Sequence, residues 1–134
     1  MKIAAILNPE NGTCKQTLST LYNLFKSGCE IKEVLLVLEN TYHAEKWVLS
    51  LSMPLSKEEI EAIKKRYIQK VLAEWEALSG NTDLPVKAEV YEVSKAVKEM
   101  DLSDTDLVIL GCLDNKSLCK LIENLDKPVL AVKN

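Results

Sequence analysis

At 134 residues, with 17 Lys and Arg against 20 Asp and Glu and a formal net charge of −3, the chain has the size of one domain and no excess of positive charge. A chain of that length buries roughly two-thirds or more of the surface its unfolded form exposes, so it needs no staples to hold a core. The interspersed charge argues against a nucleic-acid partner and against an anionic membrane surface, both of which want a basic patch.

Lys2 to Leu7, KIAAIL, is an apolar run of strand length and reads as a first strand buried on both faces. It is too short for a signal-peptide core and lacks a small-residue cleavage site, and no apolar run approaches the ~20 residues of a membrane span. A cytoplasmic location is therefore expected, with no membrane partner. Asn8 to Gly12 is a turn cluster. Thr13-Cys14-Lys15-Gln16 has capping-box spacing, which predicts a helix starting near Cys14 with Leu18, Leu21, Tyr22 and Phe25 on its apolar face and Gly28 as its stop.

Val34 to Leu38 is the second apolar strand. The stretch from Glu39 to Leu55, with Tyr42, His43, Trp47, Val48, Leu49, Leu51 and Met53, is longer than an ordinary connection and predicts a partly helical cover over one sheet edge. His43 reads as surface or gating structure, and Trp47 as a residue lining a pocket or partner surface. A second capping box, Ser56 to Glu59, opens the clearest helix, whose Ile60, Ile63, Tyr67, Val71, Trp75 and Leu78 keep one face until Gly80 and Asn81 end it. Tyr67 and Trp75 are core residues on that spacing. Val86 to Val93 alternates in the period of a half-wet strand, and Ser94 caps a short helix carrying Val97 and Met100.

The fourth strand, Leu107 to Leu110, runs into Gly111; a short helix follows, and Val129 to Val132 forms the fifth strand after Lys127-Pro128. Five strands alternating with four helices imply right-handed crossovers, a parallel sheet covered on both sides and a three-layer α/β/α sandwich in a single domain over residues 1–134. In such sheets ligands sit beyond the carboxyl ends of the strands at the switch point, which points to the loop from Gly111 to Asn115. Asn115, Lys116 and Ser117 open the last helix and could present amides, a hydroxyl and a cation to an anion; equally, Asp114 or Asn115 is an ordinary N-cap and Lys116 a solvated charge.

The cysteines are Cys14, Cys29, Cys112 and Cys119, with one His and no C-x-x-C, so metal-ligand spacing is missing and no metal is expected. Reduced, unconnected thiols are the plain reading. Cys14 and Cys112 nonetheless follow strands expected to be neighbours, which leaves a redox pair open. Cys119 reads as core or boundary packing.

The ending T-D-L-V-I-L-G, a helix and K-P-V-L-A-V-K, together with the opening K-I-A-A-I-L-N before a capped helix, resembles the universal stress protein family over nearly the whole chain. The resemblance implies a Rossmann-like sheet of the adenine-nucleotide alpha-hydrolase kind, in the order 3-2-1-4-5, with strand five at an edge. It also implies a homodimer, here through Val129, Leu130, Ala131 and Val132, an edge whose unpaired amides have to be covered in any case.

Many members of that family bind ATP through G-x-x-G, nine residues, then G-[S/T] after strand four. Gly111 matches the first glycine, but Asp114, Asn124 and Leu125 stand at the others. Only 17 positions separate Gly111 from Pro128, too few for that loop plus a helix whose Leu118, Leu121, Ile122 and Leu125 need about two turns. The family's Asp after strand one aligns with Asn8 or Asn11, so its carboxylate is replaced by an amide, with Glu10 nearby. ATP is thus disfavoured and no cofactor is expected.

Three readings follow: a homodimeric stress-response or signalling protein acting through an unknown protein partner without the ATP loop; a nucleotide or small-anion binder using Asn8, Glu10, Asn11, Gly111, Asn115, Lys116 and Ser117; and a thiol redox protein using Cys14 and Cys112. No catalytic constellation stands out, so no reaction is assigned. A phosphate-accepting receiver domain is set aside because Tyr91 and Glu92 stand where it needs an Asp, and a nucleotidyltransferase because His43 lacks an H-x-G-H context.

Overall fold

The computed structural model describes residues 1–50 and 55–133, with the backbone alone for 48–50. The strands are β1 (Lys2–Leu7), β2 (Glu30–Val37), β3 (Val86–Glu89), β4 (Leu107–Gly111) and β5 (Val129–Ala131); the helices are α1 (Lys15–Lys26), α2 (Glu39–Ser50), α3 (Lys57–Ser79), α4 (Val93–Glu99) and α5 (Asn115–Asn124). All pairings are parallel, in the order β3-β2-β1-β4-β5. The three-layer α/β/α sandwich and its 3-2-1-4-5 order are as the sequence implies.

Alternation along the strands divides the core between the two faces. Ile3, Ala5, Leu7, Val34, Leu36 and Ile109 bury one face against Leu18 and Leu21 of α1 and Val71 and Trp75 of α3. Ala4, Ile6, Leu35, Val37, Val108 and Leu110 bury the other against Val93 and Ala96 of α4 and Leu121 of α5. The continuous apolar runs follow directly from burial on both sides.

Several boundaries differ from the sequence reading. The described residues hold five helices, not four, because 39–50 is helical; Leu51 and Met53 lie outside the described residues. β2 starts earlier, at Glu30. β3 stops at Glu89 where alternation suggested Val93, and α4 is preceded by Glu92 as N-cap, not by Ser94. The first helix starts at Lys15 with Cys14 as its N-cap and no side-chain cap, so the Thr13 capping box does not form. Phe25 is half exposed and Cys119 exposed, neither in the core. The second capping box does form: Ser56 Oγ accepts from the Glu59 amide at 3.1 Å, and Gly80 closes α3 at φ 79°.

No helix among the described residues is long and apolar enough to cross a membrane.

Candidate functional site

The β1–β4 register sets Leu7 beside Gly111, so the chain leaves both strands at the same point of the carboxyl end. Asn8 is buried there, and its Oδ1 accepts from the Glu10 amide at 2.9 Å, shaping a 3-10 turn over Pro9–Asn11. Asn11 Nδ2 donates to the Cys112 carbonyl at 2.9 Å, tying the two loops together. Cys112 itself has φ 58°, the left-handed region that costs a residue with a Cβ about 1–2 kcal/mol. Such backbone strain gathers at functional positions.

Glu10 is committed elsewhere. Its carboxylate accepts from the Asn40 amide at 2.9 Å, the Thr41 amide at 2.9 Å and the Thr41 hydroxyl at 2.6 Å, so it caps α2 from a distance in sequence. Glu39, the first residue of α2, accepts from the Val93 amide at 2.7 Å and so caps α4, while Ser117 Oγ lies 3.4 Å from its other oxygen. Glu74 of α3 lies 3.3 Å from the Cys14 amide at the start of α1. Asp114 caps α5 through the Ser117 amide at 2.7 Å, a bond that holds its carboxyl below the usual carboxylate range. Each helix that starts at the carboxyl end of a strand therefore has one of the chain's own carboxylates against its first amides. Those amides and the local dipole are what would otherwise draw a phosphate.

Lys70 of α3 completes the arrangement, its Nζ donating to the carbonyls of Pro9 and Gly12 at 3.0 Å each. Gly111 has a packing role: a Cβ there would meet the side chain of Thr17, so its glycine lets α1 lie close on β4. Cys14 and Cys112, both buried, are joined by a disulfide with Cα atoms 5.8 Å apart. This corrects the reading of them as unconnected thiols.

Of the predicted site residues, Asn8, Glu10, Asn11 and Gly111 come together at the switch point. Ser117 faces it through Glu39. Lys116 is exposed, and Asn115 lines a separate groove of about 260 Å³ with Leu113, Leu118, Ala131, Val132 and Lys133. Sequence reasoning did not find Glu39, Lys70 and Glu74 as parts of the site. A lysine and a glutamate four apart on α3 look like an ordinary solvated helix face, and only the loop they hold distinguishes them. Among the described residues no group of His, Cys, Asp and Glu could hold a metal. His43 lies on α2, with Nε2 4.0 Å from Glu39, and Trp47 is exposed on the same helix.

Glu10→Ala is expected to cost about 0.5–2 kcal/mol, the range for a lost N-cap, and to speed amide exchange at Asn40 and Thr41. Urea unfolding and hydrogen exchange would check it. Unchanged protection at those two amides would show that the carboxylate does not hold α2.

Sheet order and crossovers define a doubly wound, Rossmann-like α/β protein whose topological switch point lies between β1 and β4. No protein-family model matches the chain. A universal stress protein of Aquifex aeolicus (strain VF5) is 30% identical over 136 aligned positions, spanning 99% of this chain and 100% of that protein. The chain belongs to the universal stress protein family. In structure it is similar to the universal stress protein from Archaeoglobus fulgidus in complex with dAMP, with a TM-score of 0.62 at 13% identity, covering 99% of this chain and 98% of that one. At that identity the likeness speaks for the fold.

Proposed function

We propose that this chain is a homodimeric stress-response or signalling protein that works by contact with a protein partner and does not hold a nucleotide at the end of its sheet. The observation that carries this reading is the set of carboxylates, Glu74, Glu10, Glu39 and Asp114, against the first amides of α1, α2, α4 and α5. A phosphate entering the crevice would meet negative charge where a phosphate cradle needs free donors. The loop after Gly111 adds Cys112, Leu113 and Asp114 where a glycine-rich loop would bring amides in.

The homodimer is placed on β5. Among the described residues its partner in the sheet is β4 alone, and Leu130 and Ala131 are exposed on it, an apolar edge of the kind that pairs with another strand. Antiparallel pairing of Val129 to Val132 with its copy would cover that edge and close a two-fold dimer.

The Archaeoglobus fulgidus protein was solved with dAMP, which makes an adenine nucleotide in the same crevice the competing reading. Calorimetric titration of nucleotide-stripped protein with ATP and magnesium, AMP and phosphate separates the two. No heat up to about millimolar ligand is expected, whereas micromolar binding would overturn the nucleotide-free reading. Sedimentation equilibrium should give a dimer that Leu130→Lys converts to monomer; a monomeric parent would remove the β5 interface.

A further inference from the structure

We propose that Cys14 and Cys112 form a reversible redox site, a thiol–disulfide switch that fastens the start of α1 to the end of β4 when oxidised and frees the loops over the crevice when reduced. The bridged residues are 98 apart in sequence, yet the β1–β4 register brings them together. Their Cα separation of 5.8 Å lies in the ordinary range for a cystine, so the backbone needs no rearrangement of the sheet to hold the bond.

The surroundings suit a bond that is made and broken. The sulfurs are buried in the α1/α3 side of the core, and the Cys112 sulfur lies 3.6 Å from the Thr13 carbonyl in the exposed stretch 11–13. That stretch is held by polar ties, Asn11 Nδ2 to the Cys112 carbonyl and Lys70 Nζ to the carbonyls of Pro9 and Gly12. Hydrogen bonds at the surface exchange readily with water, so local opening admits a small oxidant or thiol without unfolding the domain. Cys112 also sits in a left-handed conformation that its neighbours must maintain. Cys29 and Cys119 are unpaired and serve as internal controls.

The chemistry balances with a peroxide as oxidant and a small dithiol as reductant. Cys14 attacks in its thiolate form; its sulfur takes one peroxide oxygen, giving a sulfenic acid and water. Cys112 then displaces the hydroxyl, forming the S–S bond and releasing a second water. Two thiols and one hydrogen peroxide thus give one disulfide and two waters. Reduction by the dithiol returns two protons and two electrons and leaves the reductant as its own cyclic disulfide.

The test uses the full chain, reduced under anaerobic conditions and then treated with stoichiometric hydrogen peroxide. Mass spectrometry after alkylation should show two of the four thiols lost from labelling, mapped to a Cys14–Cys112 peptide, and dithiothreitol should restore them. Amides of residues 10–17 and 112–117 should exchange at least about tenfold faster in the reduced form, and reduction should lower Tm by about 10 °C. The Cys14→Ser/Cys112→Ser variant should not respond to either reagent.

Three outcomes would each overturn the switch: oxidation at Cys119 with Cys14 and Cys112 still labelled, a disulfide that dithiothreitol cannot reduce in the folded protein, or equal exchange in both forms. The proposal is independent of the nucleotide-free reading, and calorimetry on both redox forms keeps them apart. ATP binding by the reduced form alone would overturn that reading and leave the switch standing.

Discussion

Trp75→Ala is expected to cost about 3–5 kcal/mol, the range for removing a large buried aromatic. Against the 5–15 kcal/mol that a typical domain has in total, that brings the protein close to unfolding. Trp75 is 2% exposed on α3 and meets Tyr22 of α1 edge-on at 5.8 Å and Phe25 at 6.4 Å. Such edge-to-face pairs contribute about 0.5–1.5 kcal/mol beyond their buried area. The indole joins α1 to α3 through both rings, and Phe25 is half in water.

The effect should reach the site. The same turns of α3 carry Lys70 and Glu74, whose contacts hold the 9–14 segment and the start of α1. Trp75→Phe separates packing from polarity: the indole Nε1 has no hydrogen-bond partner among the described residues, so the replacement loses no bond there and should cost much less. Guanidinium unfolding gives the answer, with the midpoint shifting and the slope unchanged. A loss below about 1 kcal/mol for Trp75→Ala would mean that α1 and α3 are held together by something other than this contact.

Trp75 was legible in the sequence because helical spacing on a long, capped segment is a strong local signal. The alternation of strands and helices was legible for a related reason, since apolar runs between turn clusters mark buried strands, whereas the strand order came from the family resemblance. β3 and α4 were blurred where local and distant signals compete. Alternation continues past Glu89, but the Glu39 carboxylate on the Val93 amide starts a helix there, and that partner is 54 residues away. α2 was only partly legible, because among its described side chains Tyr42 is what packs on the core and its cap comes from Glu10.

The site shows the same division more sharply. Asp114 caps its own helix three residues on, within reach of a sequence rule, whereas Glu10, Glu39 and Glu74 act across 30 to 78 positions. No local pattern marks a glutamate as the cap of another element. The cystine joins residues 98 apart, and the absence of C-x-x-C favoured reduced thiols over the redox pair that the neighbouring strands left open. Gly111 matches the first glycine of the family's phosphate loop in sequence, while its neighbour in the fold is the Thr17 side chain of α1.

Gly111→Ala tests that last point, with an expected loss of about 2–3 kcal/mol, toward the upper end of overpacking costs. An ideal Cβ at Gly111 would land on Thr17 Oγ1 and lie 2.5 Å from its Cγ2 and 2.7 Å from its Cβ. Thr17 is fully buried and its hydroxyl has no hydrogen-bond partner among the described residues, so it cannot turn out to water to make room. α1 must withdraw from β4, and Leu18 and Leu21 move with it. Removing the obstacle should rescue the variant. Thr17→Ala leaves a Cβ in the way and gives partial relief; Thr17→Gly clears the space, at about 1 kcal/mol for glycine within a helix. A double-mutant cycle in urea should then show coupling of about 1–3 kcal/mol between the two positions. Additive costs would mean that the contact does not explain the glycine. A glycine kept only for a ligand's approach would leave stability untouched on substitution and change nucleotide heats instead. Loss of stability without any change in those heats assigns Gly111 to the seating of α1, the helix whose start carries Cys14 and faces Glu74.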